Sequence, residues 1–222
     1  MNHPKTLNTR GESTSAALIE AGLTLFGELG YEATTTRDLC QACGANVSAI
    51  PYHFGSKHGL YCAVIEHIGA RVQSASQISL NDVQNGTPLS PEAALQALQD
   101  TVLGMSKLVI ESKDLRRWAK IMIREQAKPS SAFDFIYNNH IKPLQKTFAF
   151  LIASIRKEAA EDDSIKIRSH ALMGQILAFV VNQESIARWL ECESLSDSHR
   201  ELIYSVLLEH VKACVGSVKH PS

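Results

Sequence analysis

Residues 34–61, TTTRDLCQACGANVSAIPYHFGSKHGLY, hold the strongest constraint in the chain: helix signals on both sides of a glycine turn, with a proline inside the second helix. A proline in a helix interior removes a hydrogen bond and clashes with the preceding turn, so Pro51 fixes the register of its helix. With Ser48 as N-cap, Ala49, Ile50 and Pro51 take the first three positions, where backbone N–H groups have no internal acceptor. The helix is then short and runs through Phe54. Ile50 and Phe54 point inward, and Ser48, Ala49, Pro51, Tyr52 and His53 face out. Upstream, Thr35-x-x-Asp38 fits a capping box. It starts a helix with Leu39 and Cys43 on its buried face. Gly44 allows the positive φ of a turn, and Val47 is read as the turn's apolar anchor. Helix, glycine turn and short helix make a helix-turn-helix unit.

Ser56 suits the cap of a further helix, with Lys57 and His58 in its first turn. Unbonded N–H groups, the positive end of the helix dipole and a lysine form an anion site. On DNA that anion is a backbone phosphate.

Helical periodicity covers most of the remaining chain, and no sustained alternating run marks a strand. Leu18, Gly22, Leu25, Phe26 and Leu29 share one face of a first helix, which Gly30 caps. Leu60, Val64, Ile68 and Val72 follow at spacing four in the fourth helix. LNDVQNGTPLSPE, residues 80–92, reads as a loop. Five more helices are expected at 91–112, 114–127, 132–160, 164–193 and 197–216, with a kink at Pro143. The fold class is therefore all-α, about nine helices in total. A tail over 1–12 precedes a three-helix helix-turn-helix domain over 13–58. A helical bundle over 59–216 and a tail over 217–222 complete the expected layout.

Several function classes fall away. No apolar run approaches the ~20 residues that span a membrane, so no membrane partner is expected. The polar N-terminus shows no signal segment. Five scattered cysteines fit a reducing compartment rather than a disulfide scaffold. Together these point to a cytoplasmic protein. Cys40-x-x-Cys43 lacks a second Cys/His pair at ligand spacing, so structural packing is preferred and no metal or other cofactor is expected. Without a Glu-x-x-His pair, HExxH, GxSxG or phosphate loop, no catalytic residue is assigned.

The region Ala16–Ile65 resembles the DNA-binding domain of the TetR family of transcriptional regulators. AALIEAGLTLFGELGYEATTTRDL, CGANVS and YHFGSKHGLY carry the match over about a quarter of the chain. GANVSAIPYHFGSKHGLY, with REQAKPSSAF, IKP and MGQILAF further on, is similar to the CecR-like (YbiH-like) branch. The resemblance implies that Arg37 reaches a base edge, that Thr36, Tyr52, His53 and Lys57 contact phosphates, and that Ser48 and Ala49 face the major groove. Pro51 departs from the usual tyrosine, or the branch's asparagine, and His58 replaces a usual glutamate. The charge balance is modest: residues 1–71 hold five Lys or Arg against six Asp or Glu, a net −1. Phosphate neutralisation drives non-specific DNA affinity, so weak non-specific binding and reliance on two copies are expected.

In the bundle, Met105, Trp118, Met122, Glu125, Phe148 and Phe179 offer apolar walls with a polar group, as a small-molecule pocket requires. Taken singly, aromatics such as Trp189 and Phe150 read as core. Ala171, Gly174 and Ala178 form a small-residue stripe for close helix approach. Leu202, Val206 and Val211 add apolar surface to the same homodimer interface. The expectation is a repressor that binds double-stranded palindromic operator DNA as a homodimer and is released by an unidentified small-molecule effector tilting the fourth helix. A binding module that has kept the fold and lost DNA recognition is the alternative.

Overall fold

The computed structural model describes residues 9–74 and 89–216, and its described residues are helical, turn or loop, with no strand. The helices are α1 (Thr9–Leu29), α2 (Thr36–Cys43), α3 (Ala49–Phe54), α4 (Lys57–Ser74), α5 (Pro91–Glu111), α6 (Lys113–Ala127), α7 (Phe133–Ile136), α8 (Lys142–Arg156), α9 (Asp163–Val181), α10 (Gln183–Trp189) and α11 (Asp197–Val215). The α1 helix starts inside the stretch read as a tail. The C-terminal tail, most of the 80–92 loop and the Val72 side chain lie outside the described residues. No helix among the described residues is long and apolar enough to cross a membrane.

Two of the long helices expected from periodicity are divided. Between α7 and α8 the chain makes a π-helical turn, Tyr137–Ile141, and Pro143 stands in the first turn of α8. Proline offers no N–H to the carbonyl four residues earlier, and the wider turn precedes it in place of a simple kink. Asn182 separates α9 from α10 at φ −102°, ψ 27°.

The chain divides into two compact units, Met1–Ala70 with Arg117–Ile136, and Arg71–Arg116 with Tyr137–Ser222. The first unit thus takes in more than the 13–58 domain expected: the body of α4, most of α6 and α7 belong to it. Its core is built on Leu18, Leu23 and Phe26 of α1, Leu39 of α2, Ile50 of α3, and Leu60, Val64 and Ile68 of α4, all buried. Leu29, expected on that face, is 48 % exposed, and Leu23 takes its place inside. Arg124 of α6 donates to the Glu28 carbonyl at 2.9 Å, setting a cation at the C-terminal end of the α1 dipole. A β-carbon on Gly59 would overlap the Phe54 carbonyl oxygen. The α3–α4 junction therefore closes to a distance that only glycine permits.

In the second unit, α8 packs on α5 and α9, and α11 lies against α5 and α9. Leu98, Val102 and Val109 of α5, Phe148, Leu151 and Ile152 of α8, Leu172 and Ile176 of α9, and Leu207 and Val211 of α11 are all buried in this unit. Polar ties fix the ends: Tyr204 Oη donates to Glu111 at 2.9 Å, and Arg168 donates to the Cys214 carbonyl at 2.7 Å.

Candidate nucleic-acid interface

The α2 helix opens with the capping box read from the sequence. Thr35 Oγ1 accepts from the Asp38 N–H at 3.1 Å, and Asp38 Oδ2 accepts from the Thr35 N–H at 3.1 Å and the Thr35 hydroxyl at 2.6 Å. Those bonds, the hydroxyl's first, hold the Asp38 carboxyl below the usual carboxylate range. The helix ends at Gly44, φ 67°, where the Ala45 N–H returns to the Cys40 carbonyl at 2.9 Å. This double-bonded closure packs the residue after the glycine against the helix it ends. The turn's anchor is accordingly half-buried Ala45, whereas Val47, expected in that role, is 49 % exposed. Cys40 is buried behind the turn, and burial pushes its thiol pKa up.

The α3 helix starts where expected but with a different cap. Asn46 Oδ1 accepts from the Ser48 N–H at 3.0 Å and the Ser48 hydroxyl at 2.9 Å, while the Ser48 side chain caps nothing. The first i→i−4 bond to close is Tyr52 N–H to the Ser48 carbonyl, 3.1 Å. Pro51 precedes it and forfeits no bond of α3. Ile50 is fully buried, Tyr52 is 83 % exposed, and Ser48 and Pro51 are exposed beside it. Ala49 and His53 are half-buried, and the His53 ring stands edge-on to Tyr52 with centroids 4.8 Å apart. An open groove of about 740 Å³ runs along this face, lined by Thr14, Asn46, Ser48, Ala49, Tyr52 and His53 among others.

On α2, Arg37 is exposed and Thr36 half-buried. Ser56 caps α4, its Oγ accepting from the Gly59 N–H at 3.0 Å. Lys57 has internal partners that the sequence did not suggest. Its ammonium donates to the Tyr31 carbonyl at 2.9 Å and the Thr34 carbonyl at 3.0 Å, and it lies 4.3 Å over the Tyr31 ring. Two of its three hydrogens are committed to the α1–α2 loop, so the ammonium tethers the head from within. Sequence spacing gave no sign of this, because the partners lie 23 and 26 residues away.

The expected ligand set is split between the units. Trp118, Met122 and Glu125 belong to the first, and Met105, Phe148 and Phe179 to the second. Glu125 is buried with both oxygens engaged. Tyr61 Oη donates to Oε1 at 2.6 Å and the Ser130 N–H to Oε2 at 2.9 Å, so the carboxylate expected as a polar ligand contact also ties α4 to α6. Phe148 is wholly enclosed. Trp118, expected in that set, has its Nε1 buried with no acceptor among the described residues.

The expected dimer stripe is on the surface. Ala171, Gly174 and Ala178 are exposed on α9. Ile167 and Val181, missed by sequence reasoning, extend the line at 69 % and 45 % exposed. On α11, Leu202 is exposed and Val206 half-buried. Val211 is buried, because it continues the inward face of Tyr204 and Leu207. Trp189, read as core, is 87 % exposed at the end of α10, while Phe150 is half-buried.

Comparison with known proteins converges on this geometry. The family described as "Bacterial regulatory proteins, tetR family" matches residues 18–64. "HTH-type transcriptional dual regulator CecR, C-terminal domain" matches residues 91–217. The CecR dual regulator of Shigella flexneri is 30% identical over 215 residues, 95% of each chain. Among solved structures, NalD of Pseudomonas aeruginosa, the secondary repressor of the MexAB-OprM multidrug efflux pump, aligns with a TM-score of 0.65. Its identity is 19%, covering 95% of this chain and 100% of NalD. A SmeT–triclosan complex aligns with a TM-score of 0.64 and 16% identity, covering 95% of this chain and 99% of SmeT.

Proposed function

This chain belongs to the TetR family of bacterial regulatory proteins, in the branch that carries the CecR C-terminal domain, and from that premise we propose that it binds a palindromic operator as a homodimer and is released by a small molecule. It is a transcriptional regulator, not an enzyme. The observation that carries operator binding is the outward face of α3: a six-residue helix seated by buried Ile50, holding Tyr52 83 % exposed above an open groove. Thr36, Arg37, Ser48, Ala49, Tyr52 and His53 remain the DNA-facing set, with Lys57 as their internal tether.

The dimer rests on α9. Ile167, Ala171, Gly174, Ala178 and Val181 follow one another at spacings of four and three, the pattern of a helix-packing seam, and all five are exposed. A two-fold pair would set two recognition helices about 34–36 Å apart, one turn of DNA. A small-molecule effector is suggested by the SmeT–triclosan complex. Trp118 Nε1 in the first unit, a buried donor with no acceptor among the described residues, is what such a ligand would satisfy.

Selection of bound fragments from random and genomic DNA tests the reading. Enrichment of a palindrome with half-site centres one turn apart supports it, and no enrichment sinks it. Given the head's net charge, the salt dependence of operator affinity should correspond to fewer than about ten phosphates. The tether at Lys57 and the acidic balance favour one other reading, a binding module with weakened DNA recognition. A mobility shift at low salt that detects no complex would select it.

A further inference from the structure

Resting on the operator-binding reading above, we propose that α3 reads its half-site through the 5-methyl groups of thymine, seated against Val47, Ala49 and Pro51 beside the Tyr52 ring. In the major groove, guanine is read by Arg or Lys, adenine by the paired donor and acceptor of Asn or Gln, and thymine by apolar contact. From Val47 to Phe54 the chain holds no Arg, Lys, Asn or Gln. The nearest amide is Asn46. Its Oδ1 already accepts twice from Ser48, at 3.0 and 2.9 Å, so it has no lone pair left for adenine's amino group. The Ser48 hydroxyl has given its hydrogen to the same oxygen and keeps only acceptor capacity.

Apart from the Ser48 and Tyr52 hydroxyls and the half-buried His53 ring, what the face presents is apolar. Val47 is 49 % exposed, Pro51 is exposed and Ala49 half-buried, flanking a Tyr52 that is 83 % exposed. At 3.6 residues per turn, Ser48 and Tyr52 run down the middle of the outward face, with Pro51 on one side and Ala49 on the other. A major groove filled by this surface offers it thymine methyls as the matching groups. Guanine contact falls instead to Arg37, which is exposed on α2.

Burying one methyl-sized group is worth about four-fold in affinity, and a two-fold operator repeats each position, giving about fifteen-fold per symmetric pair. The operator recovered by selection is resynthesised with deoxyuridine replacing thymine at one symmetric pair at a time, which removes only the methyl. Binding to the full-length protein is followed by fluorescence anisotropy. The expected result is a loss of about fifteen-fold at two or three pairs and none at the others. In Pro51→Ala or Val47→Ala the penalty shrinks at the position each residue covers and stays at parental size at the other pairs. Because Val47 and Pro51 are exposed, neither variant threatens the fold. Equal affinity for thymine and deoxyuridine operators at every pair overturns the proposal while leaving operator binding intact. Failure to recover any DNA overturns the reading on which it rests.

Discussion

Glu125 places both carboxylate oxygens on neutral donors, the Tyr61 hydroxyl and the Ser130 amide. The pair joins α4 to α6 inside the first unit. Burial first, and then the bond to Glu125 and its charge, push the Tyr61 phenol well above its ordinary value of 10.0. Because the folded value is raised, the stability tied to Tyr61 is fully present below pH 10 and is lost as pH rises through the folded value. Tyr204 and Tyr31 are shifted the same way. Tyr61→Phe should therefore cost about 1–3 kcal/mol at neutral pH, since Glu125 loses a buried donor. It should also flatten part of the decline above pH 10. Urea unfolding of parent and variant between pH 7 and 11 checks both; an unchanged alkaline slope would deny Tyr61 its share.

At the scale of elements, the α3–α4 junction is the tightest point of the head. Gly59→Ala would drive a β-carbon into the Phe54 carbonyl oxygen, and backbone cannot yield as a flexible side chain does. The expected cost is about 1–3 kcal/mol, with a larger loss of operator affinity than of stability, because α3 must shift to relieve the clash. Gly174→Ala is a control for stability alone: nothing lies within 4 Å of that site in the single chain, and alanine favours a helix by up to about 1 kcal/mol. Thermal unfolding of both variants, with operator titration of Gly59→Ala against the parent, separates the two effects. The sequence sufficed for the α2 cap, the start of α3 and the Ser56 cap, because capping chemistry and proline sterics act within four residues. The Ala45 anchor was legible in principle, since a glycine closure packs the next residue inward, but the bulkier Val47 drew the assignment. Lys57 and Glu125 were not legible. The Lys57 partners lie 23 and 26 residues away and the Tyr61 hydroxyl lies 64 from Glu125, and a polar residue's spacing does not say whether another part of the fold has already claimed it.

For the whole molecule, the net charge of −1 leaves little electrostatic attraction to DNA, so operator affinity must draw on the simultaneous engagement of two copies. The exposed seam on α9 is where that dependence can be cut. Gly174→Arg adds bulk and charge where nothing lies within 4 Å in the single chain. The subunit should fold unchanged, sediment as a monomer and lose operator affinity by at least ten-fold. Analytical ultracentrifugation with far-UV circular dichroism checks this, and a variant that stays dimeric would move the interface elsewhere. Periodicity alone could not show that Ile167 and Val181 complete this line, because an apolar residue on an amphipathic helix reads the same whether it faces the core or a second chain.

The chain has two tryptophans, and they stand in opposite surroundings: Trp118 with its indole nitrogen enclosed in the first unit, Trp189 almost wholly bare in the second. Each unit thus carries its own built-in fluorophore, one sheltered and one bathed in water. Quenching by iodide would dim Trp189 far more than Trp118, and any surface that comes to cover Trp189 would announce itself as a blue shift without a label being attached.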